Sequence, residues 1–225
     1  IVDATGGSLL SGPADATVTG VTTDSRQVAA GNLYVALRGA SHDGHAFVAD
    51  AIARGARGIL VARAVEAPPA SSAIAVVQVP DTLHALGVLA SVHRVRWGGT
   101  VVAITGSSGK TTTKELAFAC LRATGLRVTR SAGNLNNLIG VPMSVLCLDP
   151  SAELAVIELG TSGPGEIERL AEIALPEVGV VTCVAAAHTQ GLGSLADVAH
   201  EKAALLRALP AHGVAIYDAD SPALA

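Results

Sequence analysis

A chain of 225 residues is long enough for one large domain or two ordinary ones. Apolar residues make up 50% and charged residues 15%, so the chain has the means for a packed core and does not belong to the disordered class. Fifteen Lys and Arg against nineteen Asp and Glu give a formal net charge of -4, without the basic excess that non-specific binding to DNA or RNA requires.

In chain order, residues 18–23, 32–37, 57–61 and 74–79 read as short strands, and 45–54 and 81–96 as helices. Leu83, Leu86, Ala90, His93 and Trp97 recur at steps of three and four and so share one face, with Asp81 as N-cap. The Pro- and Ser-rich residues 68–72 read as a loop. Gly98 and Gly99 end the helical pattern and set the expected boundary between domains at 1–97 and 98–225. The second half alternates strands over 100–105, 127–129, 154–159, 178–184 and 214–218 with helices over 110–124, 137–146, 166–174 and 194–209. Strands joined through helices pair in parallel, and the apolar runs at 101–104 and 178–181 suit central strands covered on both faces. The expected fold class is α/β: a small N-terminal α/β domain followed by a doubly wound, mainly parallel sheet.

The mean hydropathy of +0.48 comes from scattered Ala and Val, and no run approaches the roughly 18 apolar residues of a membrane span. Cys120, Cys147 and Cys183 are odd in number, lie in apolar stretches and lack C-x-x-C spacing. They read as reduced core thiols and point to the cytoplasm. The first residues show no basic start followed by an apolar run and a cleavage site, and an opening at Ile1 rather than Met leaves an N-terminal trim open.

Directly after the 100–105 strand, at the start of the next helix, stands Thr105-Gly106-Ser107-Ser108-Gly109-Lys110-Thr111-Thr112. Glycines let the backbone curl so that several N–H groups aim at one anion, and the helix N-terminus adds favourable potential. Lys110 then reaches the β- and γ-phosphates and the Thr111 hydroxyl ligates Mg²⁺. The common G-x-x-x-x-G-K-[ST] spacing needs Gly where this chain has Ile104, so the match is to a shorter G-x-x-G-K-T-T form. A Gly/Ser turn capping a helix beside an incidental Lys is the plainer alternative; placement between strand and helix favours a nucleotide. Glu158 ends a predicted parallel strand, on the edge where ligands of open α/β sheets collect. A carboxylate there suits a hard divalent cation, and a solvated strand-end glutamate is the alternative.

From Val101 onward the sequence resembles the Mur ligases, ATP-dependent amide-forming enzymes of peptidoglycan precursor synthesis, whose short phosphate loop reads T-G-x-x-G-K-T-T. The runs GNLNNLIGVP at 133–142, IELG at 157–160 and PGEI at 164–167 are most similar to one branch. That branch joins D-alanyl-D-alanine to a UDP-N-acetylmuramoyl-tripeptide. In the first half, Asp24-Ser25-Arg26, GNLYVALRG at 31–39 and DGHAF at 43–47 resemble the uridine-nucleotide domain shared with a neighbouring branch. The resemblance covers nearly all of the chain.

It implies that the catalytic groups are Lys110, Glu158, His188 and Lys202, with Thr111, Glu158, His188 and Lys202 around Mg²⁺. A histidine alone proves little, but His188 follows the 178–184 strand and precedes Gly193 and Ser194, as in the family. Lys202 matches the lysine that CO₂ converts to a carbamate, replacing an ammonium that would repel Mg²⁺ with an anionic oxygen ligand. Gly106, Ser107, Ser108, Gly109, Lys110, Thr111 and Thr112 would cradle ATP. Asn134 and Asn137 would contact nucleotide or substrate, although a turn before a helix gives them an equal claim to capping. Ser25, Arg26 and His45 would take the uridine diphosphate, unless the Asp-Ser-Arg turn is only solvated surface. Cys183, Ser162 and Ala204 depart from the family pattern, which bears on the substrate more than on ATP.

The implied partners are a UDP-N-acetylmuramoyl-peptide and D-alanyl-D-alanine, with no nucleic acid and no membrane span, and a monomer is expected. Family members continue past the 214–218 strand, so the rest of the central domain and a C-terminal ligase domain are expected to be absent. Two rivals stand beside this reading. One is another Mur-type ligase, adding a diamino acid; the other is a noncatalytic nucleotide-binding fragment.

Overall fold

The computed structural model describes residues 1–39, 41–66, 73–185 and 192–221, and its Cα packing divides the chain into Ile1–Leu89 and Ala90–Ala225. The expected loop at 68–72 lies outside the described residues.

In the first unit, β1 (Ser8–Ser11), β2 (Gly20–Thr22), β3 (Asn32–Val35), β4 (Gly58–Val61) and β5 (Ala75–Gln78) form a sheet of order β1-β5-β4-β3-β2. The four strands foreseen from sequence, β2 to β5, run parallel, and β1 joins β5 antiparallel across an irregular register. β1 and the one-turn α1 (Val2–Thr5) were not legible in advance, because Ser-Leu-Leu-Ser has no apolar alternation and no fully buried residue. The helix expected over 45–54 is a 3-10 turn, Gly44–Phe47, running into α2 (Val48–Ala53). Tyr34, Ala36, Ile59 and Val61, alternate residues of adjacent strands, bury against Val48 and Ala51 of α2.

The next helix, α3 (Thr82–Trp97), begins where Asp81 Oδ1 accepts the N–H groups of Leu83 and His84 at 2.8 and 3.0 Å. Leu86 and Ala90 on its predicted face are fully buried. The division between the units falls inside this helix.

The second unit holds β6 (Thr100–Thr105), β7 (Val128–Arg130), β8 (Leu154–Glu158), β9 (Val178–Val181) and β10 (Val214–Tyr217). All five run parallel in the order β10-β9-β6-β8-β7. Helices α4 (Lys110–Ala123), α5 (Gly140–Leu146), α6 (Glu166–Ala174) and α7 (Leu195–Arg207) connect and cover them. On one face Val101, Ala103, Ala155 and Ile157 pack with Val141, Ile167, Leu170 and Leu205 from α5, α6 and α7. On the other, Val102, Ile104 and Val156 meet Ala117 and Leu121 of α4. The continuous apolar runs thus belong to strands covered twice, as a doubly wound α/β sheet demands.

Strand β6 is the point of reversal: the chain leaves it for β7 and β8 on one side, then crosses to β9 and β10 on the other. The crevice at such a point lies past the C-terminal strand ends. Around it are the loop after β6, Glu158 at the end of β8 and the segment after β9. Arg94, buried in this unit, donates from Nε to Ala174 O at 2.9 Å and from Nη2 to Glu177 Oε1 at 2.8 Å and Leu175 O at 3.1 Å. It thereby holds the C-terminal turn of α6, where Leu175 takes a left-handed φ of 45°.

The expectation of reduced thiols agrees with the structure, but their expected place in the core needs correction. Cys120 and Cys147 are exposed and Cys183 is half-buried, so none is a core thiol, and all three are unpaired. Cys120 faces outward because Ala117 and Leu121 take the inner face of α4. Among the described residues no helix is long and apolar enough to cross a membrane.

Candidate functional site

The loop after β6 is held by backbone constraints rather than by bulk. At Gly106 φ is 144°, and a Cβ there would lie 2.0 Å from Thr182 Oγ1. Gly109, with φ 78°, is the left-handed residue immediately before α4. The loop is braced on the segment after β9. Ser107 N donates to Cys183 O at 2.9 Å, and Thr182 Oγ1 donates to Ser108 O at 2.6 Å. The Ser107 hydroxyl donates to Ala185 O and accepts from Ala185 N, both at 3.0 Å. Bracing from behind leaves the first N–H groups of α4 for an anion. Lys110 folds back across the loop, its Nζ donating to Gly106 O at 2.9 Å. Ser108, Gly109, Thr111 and Thr112 are exposed. The half-buried Cys183 thiol lies 3.2 Å from Ser108 Oγ, and that hydrogen bond lowers its pKa from the ordinary thiol value.

Glu158 is brought to the same place across 47 residues of sequence. Its side chain is 2% exposed; Oε2 accepts from Thr111 Oγ1 at 2.8 Å and Oε1 from Asn136 Nδ2 at 2.8 Å. Ser131 Oγ accepts the Glu158 N–H at 3.2 Å. Lys114, fully buried on α4, donates to Gly133 O at 2.8 Å and lies 3.8 Å from Glu158 Oε2. Lys114 and Ser131 were missed from sequence. The available signal was spacing, since Thr111, Lys114, Ala117 and Leu121 fall on one helical face, the one that turns toward β8.

Thr111 and Glu158, two of the expected metal ligands, therefore stand together. Adjacent ligands on an octahedral Mg²⁺ with bonds of 2.0–2.1 Å are about 2.9 Å apart, so the 2.8 Å Thr111–Glu158 separation fits such an ion. Among the described residues no group of three or more His, Cys, Asp or Glu could hold a metal. Mg²⁺ is usually held through one or two carboxylates, waters and substrate phosphates. His188 lies outside the described residues. Lys202, on α7, is 1% exposed, and its pKa is brought down from 10.5 to about 8, chiefly by burial and then by the charge of Lys110, against the opposing pull of Glu201 and Glu166. The neighbouring Glu201 faces elsewhere: its carboxylate accepts the N–H groups of Gly165 and Ile167, each at 2.7 Å, at the start of α6.

The three asparagines divide their work. Asn137 Oδ1 accepts from Ile139 N at 3.1 Å and Gly140 N at 2.8 Å, capping the turn into α5. Asn136 ties Glu158 and, through its carbonyl, Gly160 N at 2.7 Å. Asn134 has an exposed side chain.

In the first unit Ser25 is buried in a single 3-10 turn capped by Asp24, and the exposed Arg26 guanidinium grips Asp24 through Nε at 2.9 Å and Nη2 at 2.7 Å. Those bonds hold the Asp24 carboxyl down to about 2. Both Ser25 and Arg26 line a cleft of about 650 Å³ with Thr23, Tyr34, Gly44 and Phe47. His45 faces inward: its Nδ1 is 2.6 Å from Asp43 Oδ1, and its Nε2 accepts from Ala62 N at 2.9 Å. The ring therefore carries its proton on Nδ1 and holds the 43–47 turn to the end of β4, with its neighbours Gly44 and Phe47 at the cleft wall.

Two family models match the chain, one described as the Mur ligase family, catalytic domain, over residues 17–94, and one as the Mur ligase middle domain, over 104–225. The UDP-N-acetylmuramoyl-tripeptide–D-alanyl-D-alanine ligase of Escherichia coli is 45% identical over 208 residues, covering 92% of this chain and 45% of the relative. MurF from Acinetobacter baumannii superposes with a TM-score of 0.90 at 34% identity, over 100% of this chain and 49% of that one. MurF of Thermotoga maritima, crystallised with ADP, gives 0.85 at 31% identity, over 94% and 48%. The chain thus spans about half the length of these relatives. With the middle-domain model matching more than half of its residues, this chain belongs to the Mur ligase family.

Proposed function

We propose that the chain provides the UDP-substrate and ATP-binding parts of a cytoplasmic ligase that adds D-alanyl-D-alanine to a UDP-N-acetylmuramoyl-tripeptide. The observation that carries this reading is the meeting of Thr111 and Glu158 beside a braced, glycine-hinged loop at the reversal point of a parallel sheet. The MurF relatives add the substrate class, and the ADP of the Thermotoga protein adds the nucleotide. The three unpaired cysteines agree with a reducing compartment.

Residues 1–97 would carry the UDP moiety in the cleft beside Ser25 and Arg26, and 98–225 the ATP. For Arg26 to grip a pyrophosphate it must give up part of its bidentate hold on Asp24. Lys110 and the N-terminus of α4 hold the triphosphate, and Asn134 presents an exposed amide nearby in sequence to the Asn136–Glu158 contact. Mg²⁺, held by Thr111, Glu158, His188 and a carbamylated Lys202, would supply charge neutralisation at the β- and γ-phosphates. The substrate's terminal carboxylate attacks the γ-phosphorus, ADP leaves, and an acyl phosphate forms. The amine of D-alanyl-D-alanine attacks the activated carbonyl, and the tetrahedral intermediate expels phosphate to leave an amide. Activation is needed because the oxide of a carboxylate is a poor leaving group and phosphate a good one. No side-chain nucleophile is required, so the protein's part is positioning and charge stabilisation.

Phosphate release by the full-length gene product tests this reading. Release should need UDP-N-acetylmuramoyl-tripeptide and D-alanyl-D-alanine together; release with a diamino acid and a shorter UDP-peptide instead would move the protein to another branch.

A further inference from the structure

Lys114 lies outside the phosphate-loop motif, yet it is a cation with no measurable exposure. Helical geometry puts it there. Thr111, Lys114, Ala117 and Leu121 form one stripe of α4, whose lower half is apolar and packs on Val102, Ile104 and Val156. The upper half meets Glu158. A buried ammonium is costly unless partnered. Its partners are Gly133 O at 2.8 Å, Glu115 Oε1 at 3.5 Å and Glu158 Oε2 at 3.8 Å. Glu115 is also held by Arg130, at 2.8 Å, which leaves Glu158 as the buried anion that answers Lys114.

The turn at 133–136 is therefore fastened to Glu158 at both ends, by Asn136 Nδ2 directly and by Gly133 O through Lys114. Ser107 and Ser108 of the phosphate loop, in contrast, are braced on Thr182, Cys183 and Ala185. We infer that Lys114 is a positioning residue that holds the Glu158 carboxylate beside Thr111, so that the Mg²⁺-dependent share of nucleotide binding depends on it while the share supplied by the loop does not. This rests on the nucleotide site proposed above.

The test measures ADP affinity of the folded chain by calorimetry, with Mg²⁺ and with EDTA, for wild type and K114M. Residues that orient metal ligands from behind typically change metal affinity by roughly 10–100-fold when lost. The gain that Mg²⁺ gives should accordingly shrink about tenfold or more in K114M, with affinity in EDTA kept within about twofold. An unchanged Mg²⁺ gain in K114M, or an equal loss with and without Mg²⁺, overturns the inference. Absence of ADP binding by wild type would instead overturn the nucleotide site itself. If K114M does not fold, thermal unfolding of K114M/E158Q decides. Removing both charges should restore folding close to that of E158Q, and a double variant as unstable as K114M would show that the ammonium serves something other than Glu158.

Discussion

Burial and the nearby charge of Lys110 bring Lys202 down to about 8, against 10.5 for the side chain in water. At pH 8 about half of the Lys202 side chains are then free amine, compared with about 0.3% of solvated lysines, a difference of more than a hundredfold. Only the free amine attacks CO₂, so we predict that Lys202 is carbamylated at near-neutral pH. ¹³C NMR of the folded chain in ¹³C-bicarbonate between pH 7 and 9 should show a carbamate carbon that grows toward pH 8 and is missing in K202M. The same shift has a consequence for stability. The native state binds fewer protons than the unfolded state between about pH 8 and 10.5, so the penalty is complete below that window and fades as pH rises through it. The shift alone corresponds to about 3 kcal/mol, and about 2 kcal/mol after allowance for residual screening. K202M should therefore exceed wild type in urea stability at pH 7 by about that amount and lose its advantage by pH 10.5. A carbamate signal equal in K202M and wild type, or none anywhere between pH 7 and 9, would refute the reasoning.

Glu201 should prove a clamp between helices: E201A strands the N–H groups of Gly165 and Ile167 and should cost about 2–4 kcal/mol in urea unfolding, a loss under about 0.5 kcal/mol counting against it. G106A should disrupt the phosphate loop, because its Cβ would press on Thr182 Oγ1. G109A meets nothing closer than 3.9 Å and should cost only the left-handed strain, about 1 kcal/mol. Equal stability losses in the two would contradict this assignment. Asp43 is held well below the usual carboxylate range by its bonds to His45 and then Arg63. Its contribution is present above the unfolded value near 4 and is lost as pH falls through the lower folded value, so D43N should flatten the acid limb of stability seen by circular dichroism.

Local order was legible where chemistry and period agreed. The apolar run 101–104, two glycines and Lys110 fixed a strand, a loop and a helix start within a residue or so of those observed. The Asp81 cap and the 166–174 helix were equally plain. Contacts that close over long sequence distances were not. Nothing in the letters shows that Asn136 and Thr111 share the two oxygens of Glu158, or that the histidine at 45 spends its second nitrogen on Ala62. Lys114 was hidden because a lysine on a helix is normally solvated, and only its phase with Ala117 and Leu121 marks it as inward. β1 carried no pattern because an edge strand of four residues, none of them buried, needs none.

The central claim is that the loop at 106–112 holds a nucleotide polyphosphate, with a divalent cation between Thr111 and Glu158. Calorimetric titration of the folded chain with ADP in excess Mg²⁺, alongside K110M, tests it most directly. One-site binding by wild type that is abolished in K110M is the predicted result. No heat and no displacement of a fluorescent ADP analogue from wild type, or equal affinity in K110M, would contradict it.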